Sequence, residues 1–487
     1  MNFVTRSFIY IIIVLSSLLA LPLNAQQNNS LYFMQGLPQS SLLNPATQPK
    51  CGFYLTFPSV EINAGNSSLG FKDFLVYNPA VDSLFWFLHD AGTRSSFLDR
   101  IKNNANLFGG VEMDLFSLGF RVNNTYLSFS TRIKAESNNF LPSDLIRFGV
   151  EGNIDTISGK LRSYDFSGFG AKATCYSEYA IGVSHQFGEN LTVGIRAKVL
   201  FGIADVNTDA SDVHMNGVGI TDYQLRSNIT INSSVPNLNV VTKPNGEVDS
   251  LKFDDIKHGS QIRSILANTK NMGLGLDLGV VYKPVDKISL SMSILDIGYI
   301  KWKSNLHSFK QDATYDFKGA NIDLPHPDSM GNALLDSLKD HFTYNSSIAA
   351  YKTYLSPKLY VGFLFQLTKG IGLGALTRQQ IIESKLNSQY TFSLNLYPAN
   401  ALNFTLSYTI ANKMYDNFGM GFTFKLAFLQ TYIMTERIPL VFYPTKQGYP
   451  IPKYAKEFNL RFGFNFVLGY NHRAKKKAQG DKPYVDL

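Results

Sequence analysis

The chain has 487 residues, of which 45% are hydrophobic and only 17% are charged, and its formal net charge is +8. The charged share lies below the roughly 25% of an average soluble domain. Together with 37 Phe, 26 Tyr and 37 Gly, it fits many short strands and argues against a helical protein. A soluble chain of this length would usually form two or three domains, whereas a large barrel can use all of it as one.

The N-terminal stretch has the features of a secretory signal peptide. Arg6 supplies a positive charge, residues 8–21 form an apolar run, and residues 23–25 are a cleavage site before Gln26. We therefore predict a cleaved signal peptide over residues 1–25, since as a membrane anchor the run is short and lacks a basic flank. No later run approaches the ~20 apolar residues of a spanning helix. An exported chain of this kind that enters a membrane must do so as a β-barrel.

Residues 26–50 show no sustained hydrophobic period and contain three prolines, which predicts an irregular segment. The segment is apolar enough to pack, and we expect it to form a plug in the mouth of a barrel. The residues expected to pack there are Tyr32, Phe33, Met34, Leu42 and Leu43. Their role is either to seal the barrel or to line a pocket for an apolar ligand.

Strict alternation of apolar with small or polar residues dominates the rest of the chain. It is clearest from Met272 to Tyr282 and again from Ile288 to Ile294, which predicts a hairpin with one apolar and one small, polar face. In a sandwich the apolar face would cover a core, whereas in a membrane barrel it faces lipid. The strand that carries Arg132, Lys134 and Glu136 opposite its apolar residues favours the barrel, because such a face could not lie in a sandwich core.

These segments predict an all-β, transmembrane antiparallel barrel of about 14 strands over residues 51–471, with a plug in its lumen. Long loops are expected at 62–110, 206–270 and 305–354. Helices are expected over 83–102, 141–150 and 332–341, and one strand over 223–231. Glu112, Asp114 and Asp296 fall on the apolar parity of their strands, so we expect bulges or a membrane boundary at these points.

The predicted inner face carries charges of both signs, with bases in excess. The candidate lumen-facing charges are Arg132, Lys134, Glu136, Arg196, Lys198, Asp277, Lys425 and Arg461. One interpretation is a wet lumen stabilised by ion pairs, in which Arg461→Ala would leave assembly largely intact. The other is a path that attracts an anionic or amphipathic ligand, such as a lipid with a carboxylate head.

The basic residues near the C-terminus lie in 472–487 and are expected to form a solvated tail. An even strand number would place this tail in the periplasm with the N-terminal end. Cys51 and Cys175 are far apart in sequence. A disulfide is allowed in an exported protein, and two unpaired strand cysteines are the alternative.

The sequence shows no motif of an enzyme, a cofactor site or a metal site. Glycine clusters at 273–279, 370–374 and 419–421 lie inside strand patterns without a following helix, so they are expected to be lumen-facing glycines and not nucleotide loops. The eight histidines lack metal-ligand spacing, and no G-x-S-x-G elbow occurs. We therefore predict no enzyme, no cofactor and, for an exported chain, no nucleic-acid partner.

Three stretches resemble an uncharacterised outer-membrane family common in Bacteroidota, one of those named only as domains of unknown function. They are L-Y-F-M-Q-G-L-P-Q-S-S-L-L-N-P-A (31–46), S-I-L-D-I-G-Y-I-K-W (293–302), which contains Asp296, Gly298 and Trp302, and F-N-L-R-F-G-F-N-F-V-L-G (458–469). That family is similar in layout to FadL-type fatty-acid transporters, with a 14-stranded barrel and an N-P-A stretch in the plug. Here that stretch is Asn44, Pro45 and Ala46. The family also resembles PorP/SprF-like barrels linked to gliding and type IX secretion.

The resemblance implies an outer-membrane location and passage of small hydrophobic or amphipathic molecules in a FadL-like manner. The alternative is a non-transporting scaffold or assembly partner of a secretion or surface machine. The expected partners are outer-membrane lipid, a small apolar or amphipathic ligand, and a periplasmic or secretion-system protein. A path past the plug would favour transport, and a lumen filled by side chains would favour the scaffold.

Overall fold

The computed structural model describes residues 28–469 apart from short gaps. The gaps are residues 35, 68, 79, 82, 90, 102–104, 153, 156–157, 220–221, 319–342, 346–348, 383–384, 400, 412–413, 444–450 and 454–455. The predicted signal peptide 1–25, the tail 472–487 and the helix expected over 332–341 lie outside the described residues.

The described chain is built almost entirely from strands. In chain order they are β1 (Phe53–Asn66), β2 (Leu75–Asn78), β3 (Ser83–Trp86), β4 (Ala105–Val122), β5 (Thr125–Leu141), β6 (Ser163–Asp165), β7 (Gly170–Phe187), β8 (Leu191–Gly217), β9 (Asp222–Ser234), β10 (Leu238–Thr242), β11 (Val248–Phe253), β12 (Met272–Val285), β13 (Ile288–Trp302), β14 (Leu306–Lys318), β15 (Thr343–Asn345), β16 (Tyr351–Tyr354), β17 (Lys358–Thr368), β18 (Ile371–Ile382), β19 (Lys385–Ala399), β20 (Leu402–Ala411), β21 (Met414–Leu426), β22 (Leu429–Thr435) and β23 (Glu457–Leu468). The helices are α1 (Phe71–Phe74), α2 (Ala91–Arg100), α3 (Ser143–Glu151) and α4 (Gly259–Leu266). Two 3-10 turns, Ser30–Phe33 and Pro38–Leu42, lie in the N-terminal segment.

Fourteen of these strands pair antiparallel in a closed ring, which confirms the predicted barrel and its strand number. Around the ring the order is β1, β4, β5, β7, β8, β12, β13, β17, β18, β19, β20, β21, β22 and β23. The ring closes where β1 pairs with both β23 and β4. Closure removes both sheet edges, so every wall strand has a partner on each side.

The alternating pattern sorts side chains between the two faces of the wall as the sequence predicts. Phe462, Phe464 and Phe466 of β23 are exposed on the outside, whereas Arg461 and Asn465 between them are buried inside. An apolar outer face with a polar inner face is the arrangement of a barrel that crosses a membrane. Among the residues that the structure describes, no helix is long and apolar enough to cross a bilayer.

The two ends of the barrel differ in their connections. At the short-turn end, β4–β5, β7–β8 and β12–β13 are joined by tight turns, and β1 begins there beside the end of β23. All the long connections are at the opposite, long-loop end. The first part of β8, Leu191–Phe201, pairs with β12 in the wall and has about the length that crosses a bilayer. The remainder of β8 extends beyond that level.

The prediction of a loop over 206–270 is wrong, because most of these residues form a regular sheet. β8 continues to Gly217 and pairs with β9, and β9 pairs with β14, which gives a ribbon above the wall. The strand expected over 223–231 is part of β9. The polar residues that suggested a loop alternate in β9 with buried residues such as Tyr223 and Leu225. In β8 a register shift between Thr208 and Ala210 interrupts the two-residue period.

The other long connections also contain regular elements. Between β1 and β4 lie α1, the β2–β3 hairpin and α2, so the helix expected over 83–102 is shorter than predicted and follows a strand. The helix expected over 141–150 is α3. The predicted loop at 305–354 contains the ribbon strand β14. The bulges expected from the parity breaks are present: the β4–β5 register shifts between Asp114 and Phe116, and two residues of β13 oppose the single residue Asp277.

Candidate functional site in the barrel lumen

The inner face of β4, β5 and β7 carries a cluster of buried ion pairs. The Arg132 guanidinium donates a hydrogen bond to Glu178 and lies 3.9 Å from Glu112. The Lys134 ammonium is 3.4 Å from Glu178 and 3.9 Å from Asp296 on β13. These residues stand opposite each other on adjacent antiparallel strands, so the strand register itself brings the charges together.

The network continues across β8, β12, β13 and β17. The Lys198 ammonium lies 2.6 Å from a carboxylate oxygen of Asp277 and 2.6 Å from one of Asp296. Arg196 pairs with Asp277 at 3.2 Å, and Lys358 pairs with Asp296 at 3.1 Å. Asp296 reaches both lysines because it sits at the β13 bulge with a positive φ of 60°, a conformation that Asp tolerates better than most residues.

A second group of ion pairs lies where the barrel closes. Arg461 on β23 donates hydrogen bonds to Glu61 on β1 at 2.9 Å and to Asp114 on β4 at 3.0 Å. Arg461 is only 2% exposed. The expected ion pairing of the lumen is present at Arg461, but this burial leads us to expect a different outcome from the Arg461→Ala prediction made above. The residue is the shared cation of two buried carboxylates, and removal of one partner of such a pair is costly.

The lumen network has no excess of bases. Its acidic members are Glu61, Glu112, Asp114, Glu178, Asp277 and Asp296, and its basic members are Arg132, Lys134, Arg196, Lys198, Lys358 and Arg461. The sequence prediction counted an excess because it left five of these acids out of the inner face. Balanced pairing removes the focused positive potential that would attract an anionic ligand.

The remaining predicted site residues lie apart from this network. Glu136 is on the inner face of β5 nearer the long-loop end, where it lines a cavity. Lys425 is on β21 near the short-turn end, half-buried, and has no part in the network. Gly298 is held against β12, since an added Cβ would lie within 3.0 Å of the carbonyl oxygen of Leu274. Trp302 is fully buried and its indole N–H donates a hydrogen bond to Thr353 at 2.9 Å.

The N-terminal segment, residues 28–50, lies inside the barrel, and its described residues are almost all buried. It runs from the short-turn end at Lys50 into the lumen and reaches Glu61 of β1 through Asn28. Its contacts extend around the wall. Gln39 forms hydrogen bonds with Asn465 on β23, and Arg196 on β8 donates hydrogen bonds to the Ser41 and Leu42 carbonyls.

Asn44, Pro45 and Ala46 pack directly on the wall at two inner-face glycines. An added Cβ at Gly194 would lie within 3.0 Å of the Pro45 carbonyl, and one at Gly279 would lie equally close to the Asn44 side chain. The Asn44 Oδ1 also accepts a hydrogen bond from the Ala46 N–H at 2.9 Å, which closes a local turn. The three residues therefore form a compact turn that fits only where the wall lacks side chains.

Other inner-face glycines accommodate apolar side chains of the segment. Tyr32 lies over Gly362, Phe33 over Gly374, and Met34 over Gly421. The glycine clusters that resembled nucleotide loops are thus positions where the wall is thin enough for the segment to pack. A sequence signal for this existed, since these glycines have inward parity, but nothing in the local pattern indicated what packs on them.

The segment covers an apolar half of the lumen, opposite the charged half. One cluster of buried side chains joins the two: the segment contributes Leu31, Tyr32, Phe33, Met34, Leu37 and Leu43, and the wall contributes Leu295, Tyr360, Leu364, Leu376, Tyr432 and Met434. Tyr32 stacks on Tyr360 with ring centroids 5.7 Å apart. Without the segment, the lumen would present charged groups on one side and apolar groups on the other.

Polar anchors hold the inner end of the segment. The Ser30 N–H donates a hydrogen bond to Glu436 at 2.8 Å, the Ser30 hydroxyl contacts the same carboxylate at 3.0 Å, and it lies 2.7 Å from the Ser407 hydroxyl. Glu436 is fully buried, so these contacts stabilise a carboxylate that would otherwise be costly to bury.

Free space in the lumen is small beside the segment and larger at the long-loop end. Two cavities that touch the segment have volumes of about 10 Å³ each, room for about one water molecule. A cavity of about 250 Å³ lies above the network, between the outer ends of β5, β7, β8 and β17. The larger, polar cavity therefore lies on the long-loop side of the segment.

Cys51 and Cys175 are both free thiols, so the alternative of two unpaired strand cysteines is the one observed. Among the described residues no group of three His, Cys, Asp or Glu side chains is arranged to hold a metal ion.

Some members of the network could have been found from the sequence and others could not. Glu178 has the opposite parity to Tyr179 and Ile181, of which Ile181 is exposed on the outside, so its parity alone places it inward. Lys358 has inward parity beside Leu359 in the same way. Glu61 is different, because β1 contains a register shift between Thr56 and Ser59 that changes which residues face inward.

A family model described as "Family of unknown function (DUF5723)" matches residues 45–436. None of the curated proteins matches the sequence. Among solved structures, the chain is similar to a TodX deltaS2S3 mutant monoaromatic hydrocarbon channel, with 8% identity, a TM-score of 0.41, and coverage of 89% of this chain and 94% of that one. It is also similar to the Ralstonia pickettii toluene transporter TbuX (10% identity, TM-score 0.38, coverage 89% and 94%). A Pseudomonas aeruginosa FadL homologue gives 10% identity, a TM-score of 0.37 and coverage of 89% and 94%.

Proposed function

The chain belongs to the family of unknown function DUF5723, and we propose that it is an outer-membrane barrel that passes small hydrophobic or amphipathic molecules when its N-terminal segment shifts. The observation that carries the proposal is the divided lumen. An apolar wall lies under the segment and a charged wall lies opposite, so a space vacated by the segment would match a molecule with an apolar body and a polar end.

The energetics favour exchange of partners over withdrawal of the segment into water. Six apolar side chains of the segment are buried in the lumen cluster. Exposing all of them would cost roughly 9–18 kcal/mol at about 1.5–3 kcal/mol for each side chain. A ligand that covers the same wall offsets most of this cost. The proposed ligand is therefore apolar over much of its surface, and its arrival and the movement of the segment are coupled.

The proposal is tested by fixing the segment to the wall with a reversible disulfide. The Ser30 and Ser407 hydroxyl oxygens are 2.7 Å apart, so a Ser30→Cys/Ser407→Cys pair has suitable geometry. The pair is made in a background in which Cys51 and Cys175 are replaced by alanine. Uptake of a fluorescent fatty acid into liposomes is measured before and after reduction of the disulfide.

A matched control places a disulfide within the wall. Thr391 and Thr409 are opposed on β19 and β20 with hydroxyl oxygens 2.8 Å apart, so Thr391→Cys/Thr409→Cys links two wall strands and leaves the segment unattached. We expect oxidation to stop uptake in the first pair, reduction to restore it, and neither treatment to affect the control. Unchanged uptake with the segment fixed would refute gating by the segment.

A non-transporting scaffold is the second candidate, and the ribbon of β8, β9 and β14 favours it. This ribbon extends a regular sheet beyond the bilayer level and has its own buried cluster, which includes Met215 and Leu225. Such a ribbon offers a surface for attachment of another protein, which is a periplasmic protein or a cell-surface protein according to the side of the membrane on which the ribbon lies. Absence of uptake from a demonstrably folded barrel, with residues 26–50 present or deleted, would favour the scaffold over transport.

A further inference from the structure

The cavity of about 250 Å³ at the long-loop end has the size for one small organic molecule. Its floor is the ion pair between Lys358 and Asp296, at 3.1 Å, with Asp296 also bound to Lys198. The floor cation is thus already matched by a carboxylate. The charge that decides which ligand fits must come from the walls.

Two carboxylates in the walls form no salt bridge with a cation among the described residues, although Glu136 interacts electrostatically with Lys358 at the floor. Asp205 on β8 is only 1% exposed, and its oxygens accept hydrogen bonds from the Thr174 and Tyr351 hydroxyls at 2.7 and 2.9 Å. Glu136 on β5 forms no hydrogen bond and no salt bridge with any described residue. Lys172 also lines the cavity, but neither carboxylate has a salt bridge to it within the described part of the chain.

Asp205 lies above the part of β8 that pairs with β12, and so above the membrane-spanning level. Burial raises the pKa of its carboxyl to about 6, although the two hydroxyl groups that donate to it act in the opposite direction. A buried carboxylate with only neutral partners is stabilised when a cation binds beside it. This is the electrostatic condition expected of a site for an ammonium group.

The other lining groups are suited to hydroxyls and amides. Thr353 and Ser356 offer hydroxyls, Asn138 and Asn207 offer amides, and the ring of Tyr354 is 75% exposed at the rim. Amide and hydroxyl side chains both donate and accept hydrogen bonds, and an exposed ring offers a flat apolar face to a compact ligand.

We propose that this cavity binds a small polar molecule that carries a protonated amine together with hydroxyl or amide groups, the chemistry shared by an amino sugar and a short peptide. Glu136 and Asp205 bind the ammonium group, and the hydroxyl and amide side chains bind the remainder. The cavity is complete with the N-terminal segment in the lumen, so the site does not depend on the proposed transport function.

Binding is measured by calorimetry on the full signal-cleaved protein folded in detergent. One arm compares D-glucosamine with D-glucose, and the other compares alanyl-alanine amide with its N-acetylated form. In at least one arm we expect the amine to bind about tenfold more tightly than its neutral analogue, because a charge pair in a partly buried site is worth on the order of 1.4 kcal/mol or more. The arm that binds more tightly identifies the skeleton of the ligand.

Variants test whether the two carboxylates carry this preference. Glu136→Gln removes a charge that makes no structural contact, so it should leave the barrel heat-modifiable and reduce amine affinity about tenfold. Asp205→Asn keeps an acceptor for one of the two hydroxyls and presents an N–H to the oxygen of the other, so it should do the same. Glu189→Gln, on the exposed turn at the opposite end, is the control and should bind as the wild type does. Equal binding of amine and neutral analogue in both arms, no binding in either, or amine affinity unchanged by both variants would overturn the proposal.

Discussion

Replacing Arg461 with alanine is expected to destabilise the barrel, because the change leaves two buried carboxylates without their cation. Arg461 lies 2.9 Å from Glu61 and 3.0 Å from Asp114, and these three side chains are at most 3% exposed. Breaking a buried ion pair by removing one partner costs about 3–5 kcal/mol. The loss falls where β23 meets β1, the last pairing needed to close the ring.

The assay is urea unfolding of the detergent-folded protein, followed by tryptophan fluorescence and by heat-modifiability on gels. A loss of about 3–5 kcal/mol corresponds to a fall in the midpoint on the order of 1–2 M urea. Arg263→Ala is the control, because Arg263 is exposed on α4, and its effect should stay within about 0.5 kcal/mol.

A compensated variant separates lost charge pairing from lost packing. In Arg461→Met with Glu61→Gln and Asp114→Asn, no charge remains unpaired at the seam, so we expect at least half of the lost stability to return. If Arg461→Ala were as stable as the wild type, water would have to reach these charges, and the inference that the ion pairs are shielded from water would be refuted. A loss that the compensated variant does not recover would place the effect in packing.

Four further substitutions test the wall. Gly194→Ala and Gly279→Ala put a Cβ against the segment, so both should raise fatty-acid uptake into liposomes, whereas Gly372→Ala, an inner-face change away from the segment, should not. Phe462→Arg places a charge on the lipid face at a cost of ~2–4 kcal/mol and should reduce the heat-modifiable fraction on gels; normal assembly would contradict the face assignment. Gly298→Ala forces apart β12 and β13 and should lower the refolding yield measured by the same gel shift.

The barrel could be predicted from the sequence because the alternation of apolar and polar residues within each wall strand indicates which face of that strand meets lipid. The alternation along Phe458–Phe466 assigns one face to lipid without reference to any other strand, and the same holds for the hairpin Met272–Tyr282 and Ile288–Ile294. Local parity also identified the bulges at Asp114 and Asp296. The ribbon was missed because the strand that runs to Gly217 is polar beyond the wall, and a register shift between Thr208 and Ala210 interrupts its two-residue period.

The site could be predicted only in part, because its interactions join residues that are distant in sequence. Parity placed Arg461 inside, but its partner Glu61 is 400 residues away and meets it only when the barrel closes. The sequence therefore indicated which charged residues face the lumen but not how they pair. Because several acidic partners were not assigned to the lumen, the bases appeared to be in excess. Likewise, glycines such as Gly279 were predicted to face the lumen, but their purpose depends on Asn44 and Pro45, which belong to an irregular segment far away in sequence.

The two halves of the lumen respond differently to a shift of the N-terminal segment, and this difference bears on what the barrel can pass. Two members of the ion-pair network also contact the segment: Arg196 donates to its carbonyls, and Glu61 accepts a hydrogen bond from Asn28. Their ion pairs with Asp277 and Arg461 are formed by wall residues alone. The charged half therefore keeps its structure when the segment moves. The apolar half, including Tyr360 and Leu376, loses its cover and would contact water. Because only the apolar half becomes exposed to water at a cost in free energy, a ligand stabilises the open lumen by covering apolar side chains. The ion-pair network opposite has no net charge, so it leaves little preference for the sign of the charge on the polar end of the ligand.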